Sequence, residues 1–168
     1  YQDIRVLEIG MDLAYFDHLK RLAKDLGHPL LESLVTLTID CYNVITVERA
    51  LSLKKPRSFM KQLLSDAGTL SAGEVIQHVE QGHLISWFQQ VNPLPYDVEL
   101  SRYEEQMRAG RVSAETVEYL EQVIKHRILE QASFATDGPL PLARYLFGKE
   151  LEVKNLRLVL TGLDNQLP

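Results

Sequence analysis

The sequence has little of what marks a disulfide-bonded, nucleic-acid-binding or membrane-spanning protein. Cys41 is the single cysteine, which excludes an intramolecular disulfide framework and fits a reducing compartment. The net charge of −5 argues against a protein whose main task is to bind nucleic acid, because phosphate binding requires a basic surface. No apolar run is expected to reach transmembrane length. At 168 residues and 45% hydrophobic, the composition is that of a globular protein of one domain or two small ones.

Motifs for catalysis and metal binding are missing as well. His78 and His83 do not have the i, i+4 spacing of a zinc pair on a helix, and Gly82 lies between them. Cys41 is expected to be a small core residue, because the neighbouring Asp40 disfavours a thiolate. The sequence contains neither a Walker A phosphate loop nor a dinucleotide-binding fingerprint. We therefore expect no catalytic residue, no metal site and no cofactor.

Helical periodicity is what the sequence does contain. Apolar residues recur at intervals of three and four, and glycines and prolines fall between these segments. Gly27 is expected to end the first helix in the left-handed conformation, and Pro29 to begin the next. Ser71 and Glu74 have the spacing of a capping box. The fold class is predicted to be all-α, with helices at Asp3–Leu26, Pro29–Leu53 (central and largely buried), Phe59–Leu64, Ser71–Gly82, His83–Val91, Glu99–Gly110, Ser113–Gln131 and Pro141–Leu160.

The segment LEVKNLRLVLTG, from Leu151 to Gly162, fits two secondary structures. Leu156, Leu158 and Leu160 alternate with other residues, as in a strand. A lone strand would have no partner in a chain otherwise without strand signals. As a helix, the segment continues the apolar run that precedes it, and Gly162 supplies the C-cap. We therefore predict a helix.

Two of the predicted helices are related by an internal repeat. The stretch Gly27–Leu51 aligns without a gap on Pro139–Leu163, at a constant offset of 112 residues (139 − 27). A repeat built on helices suggests a modular scaffold, so we expect the two helices to lie in equivalent environments. The aligned residues include Pro29 with Pro141, Leu30 with Leu142, Leu34 with Leu146, Asp40 with Glu152, Asn43 with Asn155 and Leu51 with Leu163.

Each repeat places an acidic residue three positions before an asparagine. The pairs are Asp40–Asn43 and Glu152–Asn155, and each pair shares one helix face. Such a pair could form an interhelical clamp or line a central polar contact. It could also be a hydrogen-bonded pair that fixes how two helices pack, which we favour because a buried carboxylate needs partners. Arg49 lies on roughly the opposite face from Asp40, so no direct ion pair between them is predicted.

The motifs around these pairs resemble those of a known family. IDCYNVITVERA is similar to that family's Ile-Asp-x-x-Asn followed later by Arg. LFGKELEVKNLRLVLTGLDNQLP resembles its C-terminal signature, in which an acid and Asn-Leu-Arg precede a glycine and an Asn-x-Leu-Pro turn. DLAYFDHLKRLAKDLG resembles the paired aromatic residues that open a repeat, and NPLPYDVELSRYE resembles a Thr-Pro-Tyr turn that opens a helix. Over nearly its whole length the chain resembles the C subunit of archaeal and bacterial A/V-type ATP synthases, the counterpart of the d subunit of eukaryotic V-ATPases.

This resemblance implies an all-helical funnel of three similar domains around a pseudo-threefold axis. Its wide face would cap the membrane rotor ring, and its cavity would receive the central shaft. Residues 1–111 and 112–168 would be roughly the last two of these three domains, the second partly truncated, in a piece of a longer chain whose first domain is expected before Tyr1. The implied role is a non-catalytic one in ion transport, peripheral on the cytoplasmic side of the membrane, with ring and shaft subunits as partners. The positions that match the family's pattern are Asp40, Asn43, Arg49, Glu152, Asn155 and Arg157.

Two other classes of function stay open from the sequence. An unrelated all-helical protein-binding scaffold would be favoured by an exposed apolar groove without pseudo-symmetry. A small helical hydrolase or metalloenzyme would require a deep pocket that holds perturbed histidine or carboxylate groups. The coupling role predicts equivalent surroundings for the two repeated helices, and a structure in which those helices differ in environment would reject it.

Overall fold

The computed structural model describes residues 2–83, Trp87 and residues 113–166, and these form an all-α chain. No strand occurs within these ranges, which confirms the predicted fold class. The predicted helices at 83–91 and 99–110 lie outside the described residues. The α-helices are α1 (Gln2–Leu26), α2 (Pro29–Ser52), α3 (Arg57–Leu63), α4 (Ala72–Glu80), α5 (Ala114–Gln131) and α6 (Leu140–Asp164), with a short 3₁₀ helix at Ala132–Phe134.

The turn between α1 and α2 contains the glycine and the proline in the roles predicted for them. Gly27 has a φ of +61°, a left-handed conformation that glycine adopts without a Cβ clash. Pro29 opens α2, where its missing N–H is not needed by the helix. The imidazole of His28 caps this end, because its Nδ1 accepts a hydrogen bond from the Leu30 N–H at 3.3 Å. The chain therefore reverses sharply, and α1 contacts α2.

Helix α2 is the core of the first part of the chain. It contacts α1, α3 and α4, and its buried residues occur on most sides of the helix. By length and composition it is the one helix among the described residues that could cross a membrane, so the expectation that no apolar run reaches that length was wrong. A core helix of a soluble protein passes the same test. Packing by three neighbouring helices is the environment of such a core helix.

The start of α4 confirms the predicted capping box. Ser71 Oγ accepts a hydrogen bond from the Glu74 N–H, and the Glu74 carboxylate accepts one from the Ser71 N–H at 2.9 Å. The Ser71 hydroxyl also donates to the Glu74 carboxylate at 2.7 Å, and this bond together with the one from the Ser71 N–H lowers the pKa of Glu74 below its ordinary value. Arg57 on α3 donates from Nε to Glu80 Oε1 at 2.9 Å and so links the outer ends of α3 and α4.

The segment from Leu151 to Gly162 is helical, as predicted, but its predicted end was wrong. Helix α6 continues through Gly162 to Asp164, and Asn165 is the C-cap residue. The Asn165 Nδ2 donates to the Thr161 carbonyl at 2.8 Å, and Gln166 takes the positive φ that was expected of a glycine. Gly162 therefore occupies a helical position, where its cost relative to alanine is about 1 kcal/mol.

The chain divides into two compact units, Tyr1–Arg127 and Ile128–Pro168. The first unit contains α1 to α4 and most of α5. The second contains the end of α5, the 3₁₀ helix and α6, and within it the 3₁₀ helix contacts α6. The domain boundary expected between residues 111 and 112 lies outside the described residues and stays a prediction.

The capping box gives a first testable prediction. Ser71→Ala removes the side-chain acceptor at the start of α4 and should lower the free energy of unfolding by about 1 kcal/mol. Urea unfolding followed by circular dichroism measures this change. Ser133, exposed on the 3₁₀ helix, provides the control, because Ser133→Ala should leave the stability within about 0.5 kcal/mol. Equal effects of the two substitutions would contradict the role assigned to the cap.

Candidate functional site

Asn43 of α2 binds the backbone of the loop between α3 and α4 (residues 64–71, the α3–α4 loop) through both atoms of its amide. Its Nδ2 donates to the Ser65 carbonyl at 2.8 Å, and its Oδ1 accepts from the Ser65 N–H at 2.9 Å. Asn43 is 0% exposed and Ser65 is 3% exposed, so water satisfies neither group. A single side chain therefore completes the hydrogen bonding of both backbone groups of Ser65.

Asp40, one helical turn before Asn43, binds the same loop through Thr69. Its Oδ1 accepts from the Thr69 N–H at 2.7 Å, and its Oδ2 accepts from the Thr69 hydroxyl at 2.6 Å. The carboxylate lies so close to Gly68 that a Cβ added there would collide with Asp40 Oδ1. A side chain at position 68 would therefore force the Asp40 carboxylate to shift from the position in which it binds Thr69.

Further bonds shape the α3–α4 loop around this pair. The Tyr42 hydroxyl donates to the Leu63 carbonyl at 3.4 Å, at the point where α3 ends. The Ser65 hydroxyl accepts from the Ala67 N–H at 3.2 Å, which forms a local turn. The ring of Tyr42 packs against Phe16 of α1 with centroids 4.6 Å apart. Helix α2 thus fixes the α3–α4 loop on one side while it packs against α1 on another.

The Asp40 carboxyl is buried at an energetic cost that its partners partly offset. Burial raises the pKa of Asp40 above its ordinary value, while the two Thr69 hydrogen bonds and the charge of Lys20 act in the opposite direction. The next residue, Cys41, is buried, and burial raises the pKa of its thiol well above the ordinary value. Cys41 is therefore a neutral core residue, as predicted, without the thiolate that nucleophilic chemistry needs.

Arg49 forms an ion pair on the surface rather than with Asp40. Its Nη2 lies 2.6 Å from Glu118 Oε1 on α5, and both side chains are about half exposed. Exposed pairs of this kind contribute about 0–1 kcal/mol to stability. The structure therefore places Arg49 apart from the Asp40–Asn43 pair.

The repeated residues of α6 lie in a different environment from those of α2. Glu152 is 54% exposed and pairs with Lys149 at 2.6 Å, and Asn155 and Arg157 are exposed. Within the described residues, no hydrogen bond joins Glu152 or Asn155 to a loop. The expected equivalence of the two helices was therefore wrong. The physical difference is that α2 is covered by three helices and a loop, whereas most of the α6 surface is exposed.

The loop partners Ser65, Gly68 and Thr69 were not identified from the sequence. Asn43 binds only main-chain atoms of Ser65, and any residue other than proline supplies those atoms. Gly68 was the available signal, because a glycine before a capped helix is compatible with a close backbone approach. The sequence could indicate that Asp40 needed a partner, but it did not indicate which residue that was.

The described residues offer little to an enzyme mechanism. They contain no group of three or more histidine, cysteine or acidic side chains that could hold a metal ion. A pocket of about 410 Å³ lies in the second unit, between the 3₁₀ helix and α6. Its charged and phenolic lining residues are Arg144, Tyr145 and Lys149, with no histidine or carboxylate among the lining residues. A hydrolase site would require histidine or carboxylate groups in such a pocket.

Removal of the Asn43 amide tests the loop contact directly. Asn43→Ala should lower the free energy of unfolding by about 2–4 kcal/mol, because it leaves the Ser65 N–H and carbonyl buried without partners. Asn155→Ala is the matched control, since Asn155 holds the aligned position on α6 but is exposed. In the 168-residue chain it should change stability by less than about 0.5 kcal/mol. Urea unfolding measures the stability of both variants. Similar losses of stability in the two would contradict the role assigned to the contact between Asn43 and Ser65.

The raised pKa of Asp40 gives a prediction of pH dependence. The folded state holds this proton more tightly than the unfolded state, so the contribution of Asp40 to stability is largest at low pH. It should decline as pH rises from about 4, the ordinary aspartate value, through the raised pKa. Asp40→Asn removes the titration, so the stability of the natural chain minus that of the variant should fall over this range. Urea unfolding at a series of pH values measures this difference in stability. If the difference stays constant or grows as pH rises, Asp40 does not have a raised pKa in the folded state.

Comparison with known proteins agrees with the resemblance seen in the sequence. The family described as ATP synthase (C/AC39) subunit matches residues 1–168. The C subunit of the V-type sodium ATPase of Enterococcus hirae is 28% identical over 162 residues, which is 95% of this chain and 47% of that protein. The chain thus spans about half the length of this relative. No solved structure matches the chain significantly. The chain belongs to the ATP synthase (C/AC39) subunit family.

Proposed function

We propose that this chain is part of a non-catalytic coupling subunit in the central stalk of a rotary V/A-type ATPase. The observation that carries the proposal is the family match along all 168 residues. The name of the Enterococcus hirae relative places that protein in a V-type sodium ATPase. The proposed role is to connect the rotor shaft to the membrane rotor ring, and so to serve ion transport without catalysing a reaction.

The proposed partners are the ring subunits and the shaft subunits, and the proposed location is peripheral, on the cytoplasmic side of the membrane. In this proposal the chain forms part of a funnel with a pseudo-threefold axis. Such a role depends on the surfaces that contact the partner subunits and on the stiffness of the helical fold, rather than on reactive side chains. The polar groups buried in the first unit, Asp40 and Asn43, fit that requirement because they fix a loop to a core helix.

Exposed apolar stripes on two helices also support a function that acts through contacts. On α1 the exposed stripe lies on a different side of the helix from the buried Phe16 and Ala23, and its members are Leu7, Met11, Tyr15, Leu22 and Leu26. On α6 an exposed stripe (the α6 stripe) consists of Leu142, Leu146, Val153, Leu156, Leu160 and Leu163. These stripes, together with the different environments of α2 and α6, also favour the alternative of a helical protein-binding scaffold. We nevertheless propose the coupling role, because the family match that supports it covers residues 1–168.

Co-purification tests the coupling role. The full-length subunit should bind a detergent-solubilised rotor ring and, in a separate experiment, the isolated shaft subunits. Omitting it from a reconstituted enzyme should abolish ion transport while leaving ATP hydrolysis by the catalytic head. The isolated catalytic head is the control, because no direct association between it and the full-length protein is proposed. Failure to associate with either the ring or the shaft would reject the coupling role.

A further inference from the structure

The loop that joins α2 to α3, together with the first part of α3, concentrates positive charge. Residues 49–65 contain five lysines and arginines and no aspartate or glutamate. Because the whole chain has a net charge of −5, this stretch is +5 and the remaining sequence is −10 (−5 − 5). Residues 52–59 are all exposed. Four of the cations lie in residues 53–61 (the basic segment), and all four are exposed: Lys54, Lys55, Arg57 and Lys61.

The two arginines of this stretch have acidic partners, whereas its lysines do not. Arg49 pairs with Glu118, and Arg57 donates from Nε to Glu80 Oε1. Among the residues that the structure describes, no ion pair joins a lysine of the basic segment to a carboxylate. The planar guanidinium groups, which suit a single carboxylate, are therefore occupied. The three lysines present flexible point charges that are left for another partner.

Lys54 holds a backbone position that glycine usually occupies. Helix α2 ends in a Schellman motif: the Lys55 N–H donates to the Ala50 carbonyl at 2.9 Å, and the Lys54 N–H donates to the Leu51 carbonyl at 2.8 Å. Lys54 has a φ of +53°, in the left-handed region that residues with a Cβ adopt at a cost. A cation near the negative end of α2 offsets part of that cost, which glycine would avoid altogether. A positive charge thus stands where the backbone favours glycine, which indicates that the charge has a use at the surface.

Two apolar side chains are exposed among these cations. Leu53 is 69% exposed and Phe59 is 38% exposed. The Lys55 Nζ lies 5.7 Å from the centroid of the Phe59 ring, so a cation and an aromatic face share one surface. Lysines combined with exposed aliphatic and aromatic groups are typical of proteins that adsorb to a lipid interface. There the apolar groups enter the headgroup region, and the cations stay at its anionic surface.

We propose that the basic segment binds the anionic headgroups of a phospholipid membrane surface. Each lysine close to such a surface strengthens binding by about five-fold. The attraction falls off within a Debye length, so it acts only where the segment lies against the membrane. This binding goes beyond the coupling role and does not rest on it, because it follows from the charges and exposed side chains of residues 53–61.

A membrane surface fits these groups better than an acidic protein segment does. The carboxylates of a protein lie at fixed positions and are matched best by arginine, but the arginine of the basic segment is already bound to Glu80. Lysines are flexible point charges, which suit a fluid surface whose phosphate groups have no fixed positions. Leu53 and Phe59 also gain from the apolar layer beneath the headgroups, whereas an acidic peptide offers them less.

Flotation with phospholipid vesicles tests this proposal on the natural full-length subunit. The protein should float with vesicles that contain phosphatidylglycerol and not with pure phosphatidylcholine, and high salt should release it. Lys55→Gln combined with Lys61→Gln should weaken binding by roughly 25-fold, because two lysine charges are lost. Lys24→Gln combined with Lys154→Gln is the control. It removes two exposed lysine charges outside the basic segment and should leave the affinity within about two-fold.

Lys54→Gly separates a surface role of this lysine from a structural one. The variant keeps the left-handed backbone accessible and removes the charge. The urea midpoint should therefore stay the same or rise, while vesicle binding falls by about five-fold. A lower midpoint with unchanged vesicle binding would show that the lysine serves the fold, which contradicts the proposal.

Three further results would overturn the proposal. The first is equal binding, or none, to anionic and neutral vesicles. The second is an equal loss of binding in the Lys55/Lys61 variant and in the control variant. The third is a Lys55/Lys61 variant that binds vesicles normally but no longer binds ring or shaft subunits, which would assign the basic segment to an acidic protein partner. The vesicles contain no ATPase subunit, so failure of the coupling role and failure of this proposal are distinguishable.

Discussion

The burial of Asp40 and Asn43 against the α3–α4 loop is the interaction on which the first unit depends. A carboxylate and an amide buried among the apolar residues of α2 would each be destabilising without partners. The loop has the complementary problem, because the backbone groups of Ser65 are buried and take part in no helix. Each side satisfies the other at distances of 2.6–2.9 Å. The arrangement therefore requires both the loop and the helix, and neither is stable in its place alone.

This contact also positions the two helices that the loop connects. Helix α3 has seven residues and no side-chain cap, so it is too short to be stable as an isolated helix. The bond from Tyr42 to its last carbonyl and the bonds of Asn43 to Ser65 hold its end against α2. Helix α4 begins shortly after Thr69 has been fixed, at the capping box of Ser71. The surface ion pair of Arg57 and Glu80 then adds a link between α3 and α4 at their exposed ends.

The sequence predicted those features that depend on neighbouring residues. Gly27, Pro29 and the capping box define helix ends through local geometry, and all three behave as expected. Gly162 does not, because a glycine permits a helix end without requiring one, and the chain instead ends α6 at Asn165. The length of α2 was predicted correctly, but its composition also meets the criterion for a membrane span, which the sequence analysis did not expect.

The candidate site was predictable only in part for a related reason. The acid-and-asparagine spacing indicated which residues of α2 share a face, and the structure shows that both bind the same loop. The same spacing on α6 gave the same prediction, yet Glu152 and Asn155 are exposed. A helix sequence specifies which groups it presents, but their burial depends on a segment elsewhere in the chain. Two helices with the same sequence pattern can therefore have different environments when different segments pack against them.

This difference bears on the mechanical role proposed for the protein. Apolar contacts between helices are non-directional, so they resist separation better than they resist sliding. Hydrogen bonds to a backbone are directional and weaken steeply when their geometry changes. The Asp40–Asn43 pair therefore fixes the register of α2 against its loop, in a way that the surrounding leucines and valines do not. A rotary coupling element needs that resistance to shear in each of its modules. On this argument the Asp40–Asn43 contact makes α2 and the α3–α4 loop stiffer against shear than apolar packing alone would.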